Sequence, residues 1–251
     1  MTYNAILRSL ANREVIIPYL ENAILSQEWP DQYTITIDSG PYYGAGDGYF
    51  HPSTHPLMGE RELYYLFHPD HKDQIVHERP SLKREMTLAM GSALHGILQA
   101  QFIMTGLVKP ENIEVEYVNA DHHVRGRIDF IVDHPDGRII PVEMKTMTNY
   151  KFSKQAEIKP EWDAQLSLAL DACGQDTGIL LLLESGFPYG IKEFIVPRND
   201  ALLSEIYAKF ARVREAIALD RPPLHCCAKD SPQMTSCPAR FACWLQEDER
   251  L

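Results

Sequence analysis

No stretch of this chain is long and apolar enough to cross a bilayer; the longest apolar run, Ile179 to Leu183, has the length of a buried strand. Nor is a secretory leader expected. Met1 to Tyr19 lacks an apolar core preceded by positive charge, so an intracellular, cytoplasmic protein with no membrane partner is expected. Cysteines are few, five in 251 residues, and without a secretory leader disulfides are the least expected use of them. Internal repeats and low-complexity tracts are absent. Positive charge is in deficit: the net charge of −11 argues against broad coating of duplex nucleic acid, although a local basic groove remains compatible with it. What is present is a 45% hydrophobic composition, enough for one sizeable domain to bury a core without help from metal or disulfide.

Chemistry concentrates in two short segments, Gly126-Arg127-Ile128-Asp129 and Glu143-Met144-Lys145. Between them lies His134-Pro135-Asp136-Gly137, with proline at the second turn position and glycine where a left-handed residue is wanted. This suits a type I turn followed by a glycine bulge. In that three-residue loop His134 pairs with Arg138, and counting outward sets Asp129 opposite Glu143 and Arg127 opposite Lys145. The alternate face is then wholly apolar, Ile128, Phe130 and Val132 against Met144, Val142 and Ile140, as a strand with one buried side requires. A two-residue loop would set Asp129 opposite Val142 and mix the faces.

Directly opposed carboxylates repel unless a cation lies between them. Hard oxygen donors at such a place suit Mg²⁺ or Mn²⁺, which keep waters and accept phosphate as a further ligand. Lys145, two residues beyond Glu143 and about 7 Å along the strand, can hold an attacking water or meet charge developing on a phosphate. These are the parts of metal-assisted phosphodiester hydrolysis. The other reading of the same residues is a surface hairpin carrying a lattice of opposite charges.

The wider pattern, from about Ser53 to the C-terminus, resembles the RecB-like branch of the PD-(D/E)xK nucleases, which includes the CRISPR-associated Cas-four exonucleases. Members carry a histidine on a helix ahead of the hairpin, and Met90-Gly91-Ser92-Ala93-Leu94-His95-Gly96-Ile97-Leu98 looks like that segment. The resemblance implies metal ligands at His95, Asp129, Glu143 and the Met144 carbonyl, and catalytic roles for Asp129, Glu143, Lys145 and Gln165. Read without it, His95 sits in a helix from about Leu82 to Thr105 with an apolar stripe of Met86, Met90, Leu94, Ile97 and Leu98, where a packing histidine is the ordinary outcome. Gln165, in Trp162-Asp163-Ala164-Gln165-Leu166-Ser167-Leu168-Ala169, looks like the start of the family's Gln-x-x-x-Tyr helix; Ala169 stands where the tyrosine belongs. Helical spacing puts Gln165 on the side facing the sheet, where its amide needs partners, from a metal shell or nucleotide or from backbone.

The cysteines are a second point of resemblance. Cys237-Pro238-Ala239-Arg240-Phe241-Ala242-Cys243-Trp244 looks like the closing Cys-x5-Cys of the family's iron–sulfur members, but Gly59 stands where relatives carry the upstream cysteine. An iron–sulfur (4Fe–4S) cluster would have to use Cys226, Cys227, Cys237 and Cys243. Zn²⁺ held by His225, one of the adjacent pair, Cys237 and Cys243 is a second possibility, and reduced thiols in a small helical tail a third.

Just after Lys145, the residues Lys151, Lys154 and Lys159 alternate with Tyr150 and Phe152 in a segment that could track phosphates and stack bases of a single strand, or could be a solvated charged loop. The fold class expected is α/β: a restriction-endonuclease-like core with a central mixed β-sheet flanked by helices, plus a C-terminal helix and cysteine-containing tail. Its expected organisation is one integrated domain, with a helical and loop region over 1–80, the nuclease core over 81–198 and the helix and tail over 199–251. Strands are expected near Ile113 to Val118, Ile179 to Leu183 and Ile191 to Val196, and a helix from Asn199 toward Pro222. Histidines 51, 55, 68, 71 and 77 have no ligand spacing and read as loop residues lining an entrance. The function expected is a Mg²⁺- or Mn²⁺-dependent deoxyribonuclease, an exonuclease on single strands or DNA ends. A sequence-specific endonuclease and a non-catalytic DNA-binding subunit are the alternatives, and no oligomeric state is implied.

Overall fold

The computed structural model describes residues 15–26, 35, 45–76, 81–186 and 189–248. His77, and with it most of the first 44 residues, lies outside them. In chain order the elements are α1 (Ile17–Leu25), α2 (Glu60–Phe67), α3 (Leu82–Met104), β1 (Ile113–Asn119), β2 (Val124–Asp133), β3 (Ile139–Met147), α4 (Asn149–Lys154), α5 (Pro160–Cys173), β4 (Thr177–Glu184), β5 (Ile191–Pro197), α6 (Asp200–Ala218), α7 (Pro232–Ser236) and α8 (Arg240–Asp248).

The β2–β3 turn forms as its residues dictate. Gly137 adopts φ +90°, its N–H donates to the His134 carbonyl at 2.9 Å, and the His134 N–H donates to the Arg138 carbonyl at 2.9 Å. Pairing runs from Asp133 with Ile139 to Phe130 with Val142, the bulged register. A slip of one residue would carry the apolar set to the wrong face. In this register Ile128, Phe130, Val132, Ile140, Val142 and Met144 are all buried, each contributing on the order of 1.5–3 kcal/mol of transfer free energy.

The sheet is mixed, in the order β1-β2-β3-β4-β5, antiparallel between β2 and β3 and between β4 and β5 but parallel between β3 and β4. A parallel pair needs a crossover. That crossover carries α4 and α5; Pro160 opens α5, and Gly174, at φ +64°, closes it. Leu166 and Leu170 of α5 pack on Leu180, Leu182, Phe194 and Val196. The opposite face packs Leu98 and Phe102 of α3 against Phe130, Val142, Met144 and Leu181. Covered on both sides, β4 reads as an unbroken apolar run rather than an alternation. Glu193 of β5 fastens α1 by accepting hydrogen bonds from the main-chain N–H groups of Val15, Ile16 and Ile17, at 2.8, 3.0 and 3.2 Å. These are the donors a helix start leaves unpaired.

The chain divides into two compact units with interleaved segments. The first comprises Met1–Pro41, Ser81–Tyr117 and Gly126–Asn199; the second Tyr42–Pro80, Val118–Arg125 and Asp200–Leu251. In the second unit Tyr64 and Tyr65 of α2 pack with Ala239, Ala242 and Cys243, and Phe50 stacks on Phe210 of α6.

Three details differ from the sequence reading. Met86 and Met90 are exposed, and the buried side of α3 is Gly96, Leu98, Gln99 and Phe102, because only the second half of this helix meets the sheet. Helix α6 begins at Asp200, the Asn199 amide donating instead to Asp163 at 3.0 Å, and it stops at Ala218, with Asp220 at φ +48° turning the chain. Finally, His51, His55 and His68 are buried rather than lining an opening; burial chiefly, with His51 adding to it, pushes His55 down to about 4.

Candidate active site

The candidate site residues expected from the sequence gather where the β2–β3 pairing ends. One step past Phe130 and Val142, the same register sets Asp129 against Glu143. Here the Met144 N–H donates to Asp129 Oδ2 at 2.5 Å, so a side chain rather than a carbonyl receives it. Glu143, almost wholly buried, accepts at Oε1 from Lys145 Nζ and from Gln165 Nε2, both at 2.7 Å, and Lys145 Nζ also donates to Gln165 Oε1 at 2.8 Å. Gln165 therefore finds its partners in the two neighbouring site residues, neither of them backbone. His95 on α3 brings Nδ1 to 3.8 Å from Asp129 Oδ1.

Sequence reasoning passed over a further layer. Gln99, one turn after His95 on α3, donates from Nε2 to Glu114 Oε1 at 2.7 Å and to the Asp129 carbonyl at 2.9 Å. Arg127 Nε meets Glu114 Oε2 at 2.6 Å. The available signal was the i, i+4 spacing of His95 and Gln99, which puts both on one side of a helix.

Electrostatics follow from crowding acids in a buried place. Burial first, then repulsion from Glu114, pushes the Asp129 carboxyl up to about 7 against the pull of Lys145. Glu143 is likewise raised to about 7, by burial and then by Asp129. Burial alone would lower the Lys145 ammonium, but Glu143 and Asp129 outweigh it and lift it above the ordinary lysine range. Burial lowers His95, which favours the neutral ring that can donate a lone pair. Two acids that hold protons near neutrality are a donor set that a hard divalent cation would satisfy better than protons do. Among the described residues no three His, Cys, Asp or Glu side chains are set out as a ligand group, His95 with Asp129 and Glu143 included.

Of the proposed strand-tracking residues, Tyr150 is exposed and holds Lys154, whose Nζ lies 2.6 Å from its hydroxyl and 4.0 Å from its ring centroid. Lys159 sits 4.6 Å from the Trp162 ring centroid and 3.8 Å from Glu161. Glu161 also acts on Lys145, which links the start of α5 to the acid site. Lys151 lies in the same short helix as Tyr150 and Lys154.

The second unit holds four of the five thiols, Cys173 lying at the end of α5 in the first. Cys243 Sγ accepts from Arg61 Nε at 3.2 Å and lies 3.4 Å from His225 Nδ1, whose ring stacks on Trp244. A Cβ at Gly59 would fall 2.6 Å from Cys226 Sγ, so this sulfur fills the place where a side chain at 59 would project. Burial raises the Cys226 and Cys243 thiols and drives Cys237 up to about 12. All five cysteines are unpaired, and Cys226, Cys227, Cys237, Cys243 and His225 do not stand as a complete metal-ligand set.

Comparison with known proteins identifies the family. The family model of the PD-(D/E)XK nuclease superfamily matches residues 69–243, well over half the chain. The chain belongs to the PD-(D/E)XK nuclease superfamily. Asp129, Glu143 and Lys145 all fall inside the matched span. Solved structures similar to this nuclease include that of SSO0001, at 16% identity over 92% of this chain and 94% of that one, with a TM-score of 0.47. An alkaline exonuclease from Laribacter hongkongensis is similar at 18% identity over 69% and 89%, with a TM-score of 0.48. The same enzyme in complex with dAMP aligns at 16% identity over 71% and 92%, with a TM-score of 0.48. No curated protein matches the chain. Among the described residues no helix is long and apolar enough to cross a membrane.

Proposed function

We propose that this nuclease is a Mg²⁺- or Mn²⁺-dependent exodeoxyribonuclease that shortens single strands or DNA ends. The observation carrying this reading is the pair of opposed carboxyls, Glu143 buried and Asp129 partly so, raised to about 7 beside a charged Lys145. Asp129 and Glu143 would hold the cation, with the Met144 carbonyl and His95 beside them. The cation supplies Lewis-acid polarisation of a phosphate and a more acidic water. Lys145 keeps its proton, holds the attacking water against the phosphate and meets the negative charge that develops there. Gln165 fixes both Lys145 and Glu143, and so restricts the ammonium to one direction. Tyr150, Lys151, Lys154 and Lys159 offer an aromatic face and positive charge to a strand leaving the site. Preference for ends over internal sites is supported by the likeness of the sequence to the RecB-like branch.

The test is a cleavage time course on end-labelled single-stranded and circular DNA with Mg²⁺, Mn²⁺ or EDTA, comparing wild type with Lys145→Ala. The expected result is metal-dependent loss from ends that vanishes in the variant. Discrete fragments from circular duplex would replace the exonuclease by an endonuclease, and binding without cleavage would leave a DNA-binding subunit.

An iron–sulfur cluster or Zn²⁺ at Cys226, Cys227, Cys237 and Cys243 is a separate proposal, supported by the mutual influence of these thiols and by Cys226 standing in the space beside Gly59. No step of the cleavage depends on them. Iron and zinc content of aerobically and anaerobically purified protein decides it.

A further inference from the structure

Gln99 is buried on α3, one turn beyond His95, and a buried primary amide must find acceptors for its hydrogens. Its Nε2 uses two, the Glu114 carboxylate at 2.7 Å and the Asp129 carbonyl at 2.9 Å, so a single nitrogen ties a helix to two strands. Glu114 adopts φ +52°, a conformation uncommon for a residue with a Cβ and one that persists only where the surroundings over-determine it. Here both carboxylate oxygens are taken, one by Gln99 and the other by Arg127 Nε at 2.6 Å. Asp129 is consequently pinned twice, its carbonyl by Gln99 and its carboxylate by the Met144 N–H at 2.5 Å, just where the β2–β3 pairing has ended.

We propose that Gln99 and Glu114 are positioning residues: Glu114, locked by Arg127, anchors the Gln99 amide, whose second hydrogen bond, to the Asp129 carbonyl, fixes the direction in which the Asp129 carboxylate faces Glu143. Neither touches DNA in this role; both act through Asp129. The inference rests on Asp129 being a working acid of the nuclease.

The experiment compares wild type with Gln99→Leu, and with the exchanged pair Gln99→Glu plus Glu114→Gln, by cleavage kinetics, Mn²⁺ titration calorimetry and thermal melting. Gln99→Leu removes both donors. Its kcat should fall about 10- to 100-fold, the range typical of groups that orient metal ligands, with the KM for DNA unchanged and the Mn²⁺ Kd weakened by a similar factor. The exchanged pair restores a hydrogen bond between positions 99 and 114, but a carboxylate at 99 has no hydrogen for the Asp129 carbonyl. Its Tm should return toward wild type while kcat and Mn²⁺ binding stay impaired. Recovery of wild-type kcat and Mn²⁺ Kd in the exchanged pair would reduce Gln99 to a structural tie and overturn the proposal, as would a Gln99→Leu protein unchanged in both. If Gln99→Leu does not fold, the exchanged pair decides alone. A wild type that cleaves no DNA would defeat the nuclease mechanism proposed above, and the Mn²⁺ titration would still decide the role of Gln99.

Discussion

The acids of the first unit and the thiols of the second are both clusters of side chains able to ligate metal, yet they are assembled differently. Asp129, Glu143 and Lys145 project from two paired strands, and Gln165 comes from the helix packed on them, so register and packing fix their separations. The thiols of Cys226 and Cys227 come from a segment without helix or strand, that of Cys237 from the residue closing α7 and that of Cys243 from within the short helix α8. A ladder imposes geometry every two residues. A loop imposes much less, which is why the acids hydrogen-bond among themselves while the thiols adjoin one another without forming a ligand set.

The largest effect expected on this contrast is at Lys145. Lys145→Ala removes a cation that acts on both carboxyls, and loss of an oriented charge at a reacting oxygen costs about 10²–10³ in kcat. Single-turnover cleavage of end-labelled DNA measures it; a variant within threefold of wild type would remove Lys145 from the chemistry. Gln165→Leu comes next. It leaves the charges and deletes the amide between Glu143 and Lys145, so a fall of about 10- to 100-fold in kcat is expected from the same assay.

Much of this arrangement was legible in the chain. The turn His134-Pro135-Asp136-Gly137 specified a register, the register specified an apolar face, and the leftover face carried Asp129 and Glu143. The spacing from His95 put Gln99 on the same side of α3, but its hydrogen bond to Glu114 was not legible, because it depends on how α3 meets β1 and on a left-handed residue inside a strand, neither of which has a local signal. Met86 and Met90 misled for a related reason: an apolar stripe says which side of a helix can be buried, not how much of its length meets a sheet.

A smaller effect concerns pH, and its sign is opposite to that of ordinary surface carboxylates. The folded-state values of Asp129 and Glu143, about 7, lie above their ordinary 3.8 and 4.5. Between those limits the folded metal-free protein keeps protons that the unfolded chain has released, so stability falls as pH rises through this window and levels off above it. Melting in EDTA should therefore give a lower Tm at pH 8 than at pH 5.5. Asp129→Asn keeps an oxygen for the Met144 N–H while deleting a charge, so it should flatten the slope and raise the Tm at pH 8 even as cleavage is lost. Since a cation displaces those protons, the Mn²⁺ Kd should tighten from pH 6 to pH 8 in wild type. A pH-independent Kd would mean that the acids are already ionised without metal.

The smallest effect is expected at Cys237, and it is the one that sharpens the contrast most. With its thiol driven up to about 12 by burial, first of all, and then by Glu62, this residue is a protonated, half-buried small group, and serine is nearly its equal in size. Cys237→Ser should then cost roughly 1 kcal/mol or less, the ordinary range for a substitution that opens no cavity and strands no charge. If Cys237 instead ligates a metal that staples the tail, the loss should be several kcal/mol, because binding free energy at a structural site is folding free energy. Melting the variant beside wild type, with bound iron and zinc measured in both, separates the cases. A large drop in Tm together with lost metal would mean that the thiols are as organised as the acids, achieved by a bound ion rather than by a strand ladder.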